Sequence, residues 1–539
     1  MRFLSSAGLV LLGASLLAAQ SGSPVSSQAD TSRISDQIKS LQTAVAEQQK
    51  QIQMLQSELE QNKKAQVVNA AFNVDVASNT PVVQSDSDKP KESPLSFRIG
   101  GAEFTPGGFV DFENVFRSTN SGSAISTSYG TIPFSNSAAG HLTEYRATGQ
   151  YSRFNMKITD KFKGNDVTGY IEGDFNGNDA TNVFQTTNPH TLRLRLYWVD
   201  LKRGQWELVG GQSWGLETPN RVGVSPAPAD LAITLNEDAN IQVGIHHSRA
   251  GLFRLAWHPT KEFAWAFEVQ NPQQFTNNEV VFPAAFNAGA SAVANQFDNG
   301  TANIPNLSPD LMTKLAYDTL FGGKKFHIEA GGIFTTAKIA NQISPSTAAS
   351  PFVTHSKIGG GGMAAMNIEP VKNVRFLVNG MYGSGIGRYS IALGPNAVVR
   401  PVALTATTFD ADISMVHSGS GSGGIEIQAT PNTQIAGYYG GAYFQRNAFP
   451  DITAAGATKP IIGFGGATSA NTNNRAIQEG TVDFIQTWWK NPQYGSLLTI
   501  LQASYVTRSP WAVLTTGGVL QPKNAHLGMG FVSLRYVLP

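Results

Sequence analysis

The sequence predicts an all-β transmembrane antiparallel β-barrel of roughly 14 to 18 strands, preceded by an N-terminal α-helical coiled coil. Three observations predict this fold class. The chain begins like an exported protein, a short heptad repeat follows, and much of residues 96–539 alternates between apolar and polar positions. No later apolar run is long enough to span a membrane as a helix, and an exported chain of that kind can integrate only as a closed barrel.

The N-terminus has the layout of a secretory signal peptide. A basic start, Met1-Arg2, precedes an apolar run over 3–19 and small or polar residues over 20–24. We predict a signal peptide over residues 1–21, with cleavage between about Ala18 and Ser23. The chain has no cysteine, which excludes disulfides, thiolate chemistry and lipoprotein acylation. These features are compatible with a protein of the bacterial outer membrane.

Residues 30–64 carry a heptad repeat that predicts a periplasmic coiled coil for self-association. Branched residues at a with Leu at d favour two strands in a parallel coil, and the alternative is a helix packed on its own domain. Residues 65–95 are polar and without a period, which predicts a flexible linker. The a positions are Ile38, Val45, Ile52 and Leu59, and the d positions are Ile34, Leu41, Gln48, Leu55 and Asn62.

From residue 96 onwards, short alternating segments are separated by two kinds of connection. Short turns, expected at 160–166, 258–262 and 491–496, alternate with long Gly/Ser-rich loops at 118–140, 215–239 and 272–307. This asymmetry is typical of an outer-membrane barrel. The net charge of +1 gives no global field for nucleic acid. Clear strand candidates lie at 108–116, 153–158, 167–175, 191–198, 263–269, 311–317 and 481–489.

Three consecutive segments place charged side chains on one face. The period of two directs the polar side chains into the lumen and the apolar ones towards lipid. The three segments are expected to be neighbours, so their charges would share one inner wall. This wall is either a charged constriction that attracts anions or a set of ordinary cross-strand ion pairs. The inward set is Arg153, Asn155, Lys157, Glu172, Asp174, Arg193, Arg195 and Tyr197, and the outward set includes Leu192, Leu194, Leu196 and Trp198.

Several short motifs in shared order resemble the DcaP-like porins. That resemblance implies a sixteen-stranded barrel, a homotrimer in the outer-membrane lipid and uptake of dicarboxylates or related organic anions. It also implies that Arg153, Arg193 and Arg195 belong to the pore wall. Leu196 and the Ala/Ser/Thr-rich loops depart from the family pattern, and phosphate-selective porins share the coil-plus-barrel layout. The motifs are Ser152–Lys157, Tyr170–Phe175, Leu192–Arg195, Gly211–Trp214, Glu268–Pro272, Pro309–Leu311 and Gly385–Tyr389.

The predicted function is therefore a passive diffusion channel for small anionic solutes. No cofactor or metal is predicted, because Asp174–Asp179 is only half a calcium loop and His246-His247 point to opposite faces of a strand. No nucleophile motif indicates an enzyme, although an outer-membrane enzyme and a structural tether are the alternatives. The predicted pore-lining and anion-binding residues are Arg153, Lys157, Glu172, Asp174, Arg193, Arg195, Tyr197 and, as a second wall candidate, Arg388.

Overall fold

The computed structural model describes residues 93–539 with internal gaps. The predicted signal peptide (1–21), the predicted coiled coil (30–64) and all but the last residues of the predicted linker (65–95) lie outside the described residues. The gaps are 124, 178–190, 225, 227–240, 277–278, 288–291, 299–305, 348, 391–393, 467–472, 514, 517–518 and 521.

Sixteen antiparallel strands form a closed barrel. Each strand pairs with the next in sequence, and β16 pairs with β1, where Asp111 lies opposite Arg535. The predicted all-β antiparallel barrel of about sixteen strands is confirmed. The strands are β1 (Ala102–Arg117), β2 (Arg153–Phe162), β3 (Asn165–Asp174), β4 (Arg193–Arg203), β5 (Trp206–Trp214), β6 (Arg249–Trp257), β7 (Phe263–Gln270), β8 (Asp310–Phe321), β9 (Lys324–Gln342), β10 (Phe352–Val371), β11 (Val374–Ser384), β12 (His417–Thr430), β13 (Thr433–Phe444), β14 (Asn474–Asn491), β15 (Gly495–Pro510) and β16 (Ala525–Val537).

The first strand shows how the sequence pattern sets the two faces of the wall. In β1, Phe112 and Phe116 are exposed on the outer face. Asp111 and Glu113, which flank Phe112 in the sequence, are buried on the inner face. Pairing on one side of β1 is shared. Residues 103–109 of β1 pair with β2, and residues 113–117 pair with the short strand Glu144–Thr148. A further short strand, Phe97–Ile99, pairs with the start of β1.

The outer surface of the barrel is apolar. Large apolar side chains, whose exposure to water is unfavourable, point outwards on strands around the barrel. A lipid-facing surface requires this arrangement. We therefore treat the strands as membrane-spanning. Within the described ranges, no helix is both long and apolar enough to cross a membrane. Outward residues include Phe112, Leu194, Phe253, Leu315, Val378, Tyr439, Val482, Leu501 and Leu534.

Short turns and long loops lie at opposite ends of the barrel. At the end that carries the N-terminal strand and the C-terminus, β2 and β3 are joined by Lys163-Gly164, both with positive φ (47° and 80°). Glycine tolerates this backbone conformation without strain. The predicted turn at 160–166 is thus narrower than expected, because β2 extends to Phe162 and β3 begins at Asn165.

The long loops pack against one another and against the inner wall at the opposite end. Their apolar side chains join wall residues such as Val115 and Trp198 in one buried cluster. Two hairpins belong to these loops: Ala397–Ala403 with Phe409–Met415, and Asn447–Pro450 with Ile461–Phe464. A small strand pair, Thr515–Thr516 with Val519–Leu520, lies between β15 and β16. Short 3-10 helices in these loops include Tyr129–Thr131, Ala138–His141, Ala284–Phe286, Val293–Gln296 and Gly387–Tyr389.

Candidate pore constriction

Five charged side chains from β2, β3 and β4 meet on the inner wall, and we call them the charged ladder: Arg153, Glu172, Asp174, Arg193 and Arg195. Strand register brings them together, because Arg153 lies opposite Asp174 on one side and Arg193 lies opposite Asp174 on the other. All but Arg193 are buried. The neighbourhood expected from the sequence is therefore present in the structure.

Asp174 is the centre of the ladder. Arg193 donates to it through Nε (3.0 Å to Oδ1) and Nη2 (2.6 Å to Oδ2), which is a bidentate pair. The Nη1 group of Arg195 donates to the same carboxylate at 3.0 Å. One buried carboxylate thus fixes two guanidinium groups in a defined geometry, and such charge-assisted bonds are roughly twice as strong as neutral ones.

Glu172 holds the remaining contacts of the ladder. It accepts a hydrogen bond from Arg195 Nε (2.8 Å) and one from the Tyr170 hydroxyl (2.6 Å). The Nε atom of Arg153 lies 3.8 Å from the Glu172 Oε1 atom, and its guanidinium stacks over the Phe109 ring. Three guanidinium groups face two carboxylates, so the ladder itself carries one net positive charge.

A β-bulge in β4 reverses the faces beyond the ladder and corrects three predictions. Between β3 and β4 the register shifts, so that Glu172 lies opposite Leu196 and Gly173 opposite Leu194. Arg195 is the extra residue, and an extra residue reverses the alternation that follows it. Tyr197, predicted to line the pore, lies on the outer face and is 44% exposed. Leu196 and Trp198, predicted to face lipid, are buried on the inner side.

Two further predicted site residues lie apart from the ladder. Lys157 lies four residues after Arg153 on the inner face of β2 and is exposed. Its side chain makes no ion pair or hydrogen bond with the residues that the structure describes. Arg388, predicted as a wall residue, is not on a strand. The chain leaves β11 at Ser384, turns at Gly385 (φ 77°) and places Arg388 in a 3-10 turn, where its Nη2 donates to Asp310 of β8 at 2.6 Å.

The cations of several inner-wall ion pairs are more exposed than their carboxylates. Arg193 is 18% exposed and Asp174 0%; Lys202 is 50% exposed and its partners Asp200 and Glu207 are 7% and 4%. Lys202 belongs to the inner face because its neighbour Leu201 is exposed on the outer face. The opposite order holds for Arg117 (0%) with Glu144 (13%) and for His327 (2%) with Asp318 (23%). It also holds, by a smaller margin, for Arg153 (1%) and Arg195 (0%) with Glu172 (6%).

The same bias holds on the far side of the barrel, at Glu426 of β12. This carboxylate is 3% exposed, whereas its partners Arg375 and Arg221 are 33% and 10% exposed.

Arg221 comes from the loop between β5 and β6, which folds against the inner wall. Neither Arg221 nor Glu426 was predicted from the sequence. The length of the 215–239 loop was the available signal.

Both described parts of this loop contact the inner wall. Residues 215–224 contact β7 to β10 and β12, and residues 241–248 contact β12 to β14 through Gly244 and Val243. The loop therefore extends across the barrel and would narrow a pore.

The histidine pair of this loop lies in its second part. Burial lowers the pKa of His246 to about 3, and the positive charges of Lys314 and His247 add to that effect. Its imidazole is therefore neutral at ordinary pH. Among the residues that the structure describes, no three His, Asp or Glu side chains group as metal ligands.

Comparison with solved structures assigns the fold. No family model matches this chain, and no curated protein does either. The crystal structure of the outer membrane channel DcaP of Acinetobacter baumannii matches with a TM-score of 0.53 at 14% identity, over 81% of this chain and 97% of that one. The barrel has the fold of DcaP. The fold expected from the sequence resemblance is thus confirmed.

Two other solved barrels match less closely. OmpT, an outer membrane protein of Vibrio cholerae, matches at 9% identity with a TM-score of 0.42, over 82% of this chain and 99% of that one. An anion-selective porin from Comamonas acidovorans matches at 9% identity with a TM-score of 0.41, over 81% of this chain and 99% of that one. At these scores they add nothing to the fold assignment.

Proposed function

We propose that this protein is an outer-membrane porin, a passive diffusion channel for small anionic solutes, rather than an enzyme. The closed barrel with an apolar outer face and charged inner face supports a membrane channel. The fold shared with the DcaP channel supports the same class of protein. The signal peptide predicted over residues 1–21 supports export, and together with the barrel it favours the bacterial outer membrane.

The observation that carries the anion preference is the unequal exposure within the inner-wall ion pairs. The inner wall bears charges of both signs, so its composition alone selects nothing. A solute in the lumen meets the groups that reach solvent. Lys202, Arg193 and Arg375 reach solvent more than their carboxylate partners, and Lys157 is exposed without an ion-pair partner among the described residues. Exposed cations at a constriction favour anions and disfavour cations.

Dicarboxylates are the solutes that this arrangement suits best. The guanidinium of Arg193 is held by Asp174 at Nε and Nη2, and the bound carboxylate fixes the plane of its fork. A planar, fixed guanidinium recognises carboxylates more selectively than an ammonium does. A second exposed cation in the lumen would attract the other end of a dicarboxylate. Phosphate shares this chemistry and is the competing solute in the experiment below.

A homotrimer is the assembly we propose. The heptad repeat over 30–64 supports self-association, with the coil in the periplasm, and the resemblance to the DcaP-like porins favours three copies. Native mass spectrometry of the detergent-extracted protein should give a trimer. A variant lacking residues 30–64 should dissociate at lower temperature than the full chain, whereas equal dissociation temperatures would contradict a role of the coil in assembly.

Liposome swelling tests the transport function. Liposomes that contain the full-length protein should swell faster in succinate than in a neutral sugar of similar size. Phosphate is the third solute to be tested. Arg193→Ala should reduce the succinate-to-sugar ratio, because it removes the exposed cation of the ladder. The matched control is Arg400→Ala, which removes an equal charge from an exposed hairpin pair with Asp412.

The outcomes separate the classes of function. A higher rate for phosphate than for succinate would replace dicarboxylates by phosphate as the proposed solute. Equal rates for anions and sugar would contradict anion preference. Absence of any swelling would contradict the channel and favour a tether or an outer-membrane enzyme.

A further inference from the structure

The first part of the inward loop runs along the inner wall, and we call residues 216–224 the inner strap. Its main chain donates hydrogen bonds to wall carboxylates. Leu216 N donates to Glu268 of β7 at 3.1 Å, Asn220 N to Glu329 of β9 at 3.1 Å and Gly223 N to Asp318 of β8 at 2.9 Å. Three neighbouring strands therefore each supply an acceptor to the strap.

Wall cations complete the main-chain contacts of the strap. Lys314 of β8 donates through Nζ to the Thr218 carbonyl at 2.7 Å, and Arg254 of β6 donates to the Val224 carbonyl at 3.1 Å. The two ends of the strap differ from its middle. Leu216 and Val224 belong to a buried apolar cluster with wall residues, whereas residues 217–223 are held by hydrogen bonds and charge.

Arg221 carries the ion pair between the strap and β12. Its Nη1 and Nη2 groups each lie 2.6 Å from a different oxygen of Glu426 on β12, a bidentate pair. The Tyr438 hydroxyl donates to the same carboxylate at 2.8 Å, and Asn367 of β10 donates to the Arg221 carbonyl at 3.3 Å. The main chain of the strap thus contacts β7 to β10, and the Arg221 side chain adds the ion pair with β12, two strands further on.

We propose that the Arg221–Glu426 pair is a latch that holds the inner strap in the lumen and thereby sets the size limit of the channel. Arg221 is in this sense a positioning residue. The apolar contacts of Leu216 and Val224 fix the ends of the strap, main-chain hydrogen bonds hold its middle on β8 to β10, and the latch holds that middle towards β12. Loss of the latch removes the bidentate charge contact at the tip, so residues 217–223 can move away from β12 and widen the bore. The proposal rests on the proposed channel function.

Size exclusion in liposomes is the direct test. Arg221→Ala and Glu426→Gln should each raise the ratio of raffinose to glucose permeation roughly twofold or more, since a wider constriction relaxes selection by size. The matched control is Arg375→Gln. Arg375 also contacts Glu426 (3.4 Å), and its substitution also removes one lumenal cation. Arg375 belongs to β11, however, and does not hold the strap. It should lower anion preference and leave the raffinose-to-glucose ratio unchanged.

A second measurement does not depend on transport. The chain has no natural cysteine, so Thr218→Cys introduces a single thiol at a strap position that is fully buried. In the detergent-solubilised full-length protein, this thiol should react severalfold faster with a maleimide when Arg221→Ala is added, and at an unchanged rate when Arg375→Gln is added.

The two measurements distinguish failure of the latch from failure of the channel. Faster labelling without any transport would retain the latch and contradict the porin function. Intact transport with an unchanged size limit and unchanged labelling in Arg221→Ala would overturn the latch.

Discussion

The charged ladder on β2 to β4 and the inner strap on β6 to β12 use the same chemical groups in different ways. In the ladder, both partners of each pair belong to the wall and come from adjacent strands, as with Asp174 and Arg193. In the strap, wall charges bind a loop, and Arg221 is 205 positions from its partner Glu426. The first arrangement closes the wall. The second arrangement holds the inner strap inside the lumen. The two arrangements should therefore respond differently to mutation.

Loss of the central ladder carboxylate should give the largest effect. Asp174→Ala leaves two guanidinium groups, one of them fully buried, without this partner, and breaking a buried ion pair costs about 3 to 5 kcal/mol. We expect a lower thermal unfolding midpoint of the detergent-solubilised barrel. Asp412→Ala, which breaks an exposed pair with Arg400, should cost about 1 kcal/mol or less. Equal midpoints for the two variants would show that the ladder does not stabilise the wall.

A smaller effect is expected where the second part of the loop meets the wall. A Cβ atom on Gly440 would lie 2.0 Å from the Val243 carbonyl oxygen, so Gly440→Ala must displace residues near 243. Overpacking of this kind costs about 1 to 3 kcal/mol. Gly437→Ala on the same strand is the control, because its nearest neighbour would be an oxygen 3.9 Å away. Thermal unfolding of both variants checks this, and matching midpoints would argue against close docking of the loop.

The same comparison explains what the sequence could predict. The ladder follows from the period of two and from the adjacency of three segments, both of which are local properties. Tyr197 was assigned to the wrong face because a bulge at Arg195 adds one residue, and nothing local marks that residue as extra. Arg388 was misplaced because a glycine turn ends the strand before it. The latch depends on a contact between a loop without periodicity and a distant strand, so local patterns carry no signal for it.

Charge reversal at Lys157 should change selectivity without changing stability. Lys157 is exposed on the inner face and has no ion-pair partner among the residues described, so Lys157→Glu breaks no ion pair there. It replaces a lumenal cation by an anion, and we expect a severalfold lower succinate-to-sugar ratio in liposome swelling. Lys261→Glu, in the turn between β6 and β7, makes the same charge change outside the barrel wall. A fall in the ratio with both variants alike would assign the effect to net charge rather than to the lumen.

The smallest expected effect is a pH dependence of the strap. Burial raises the pKa of Glu217 from 4.5 to about 7, and the negative charge of Glu268 adds to this, while Ser248 and Arg388 oppose it. Lys314 of β8 and Tyr389 are also within its electrostatic reach. The docked strap prefers protonated Glu217, so its docking is firmest below pH 4.5 and weakens as pH rises towards 7.

Fluctuations of the single-channel current test the effect of Glu217 ionisation. Single-channel current fluctuations of the wild type should increase between pH 5 and pH 8 if ionised Glu217 loosens the strap. Glu217→Gln keeps the size of the side chain and removes its titration, so its fluctuations should stay flat over that range. Wild-type fluctuations that fall with rising pH would contradict the sign derived from the burial of this carboxyl group.

The zero-current potential of the full-length wild-type protein in a planar bilayer tests the central claim most directly. Under a tenfold gradient of potassium chloride, lumenal cations that are more exposed than their carboxylates should give a potential of the sign set by chloride permeation. Addition of succinate should then reduce the chloride current. A potential of the opposite sign, which reports preferential potassium permeation, would contradict the account.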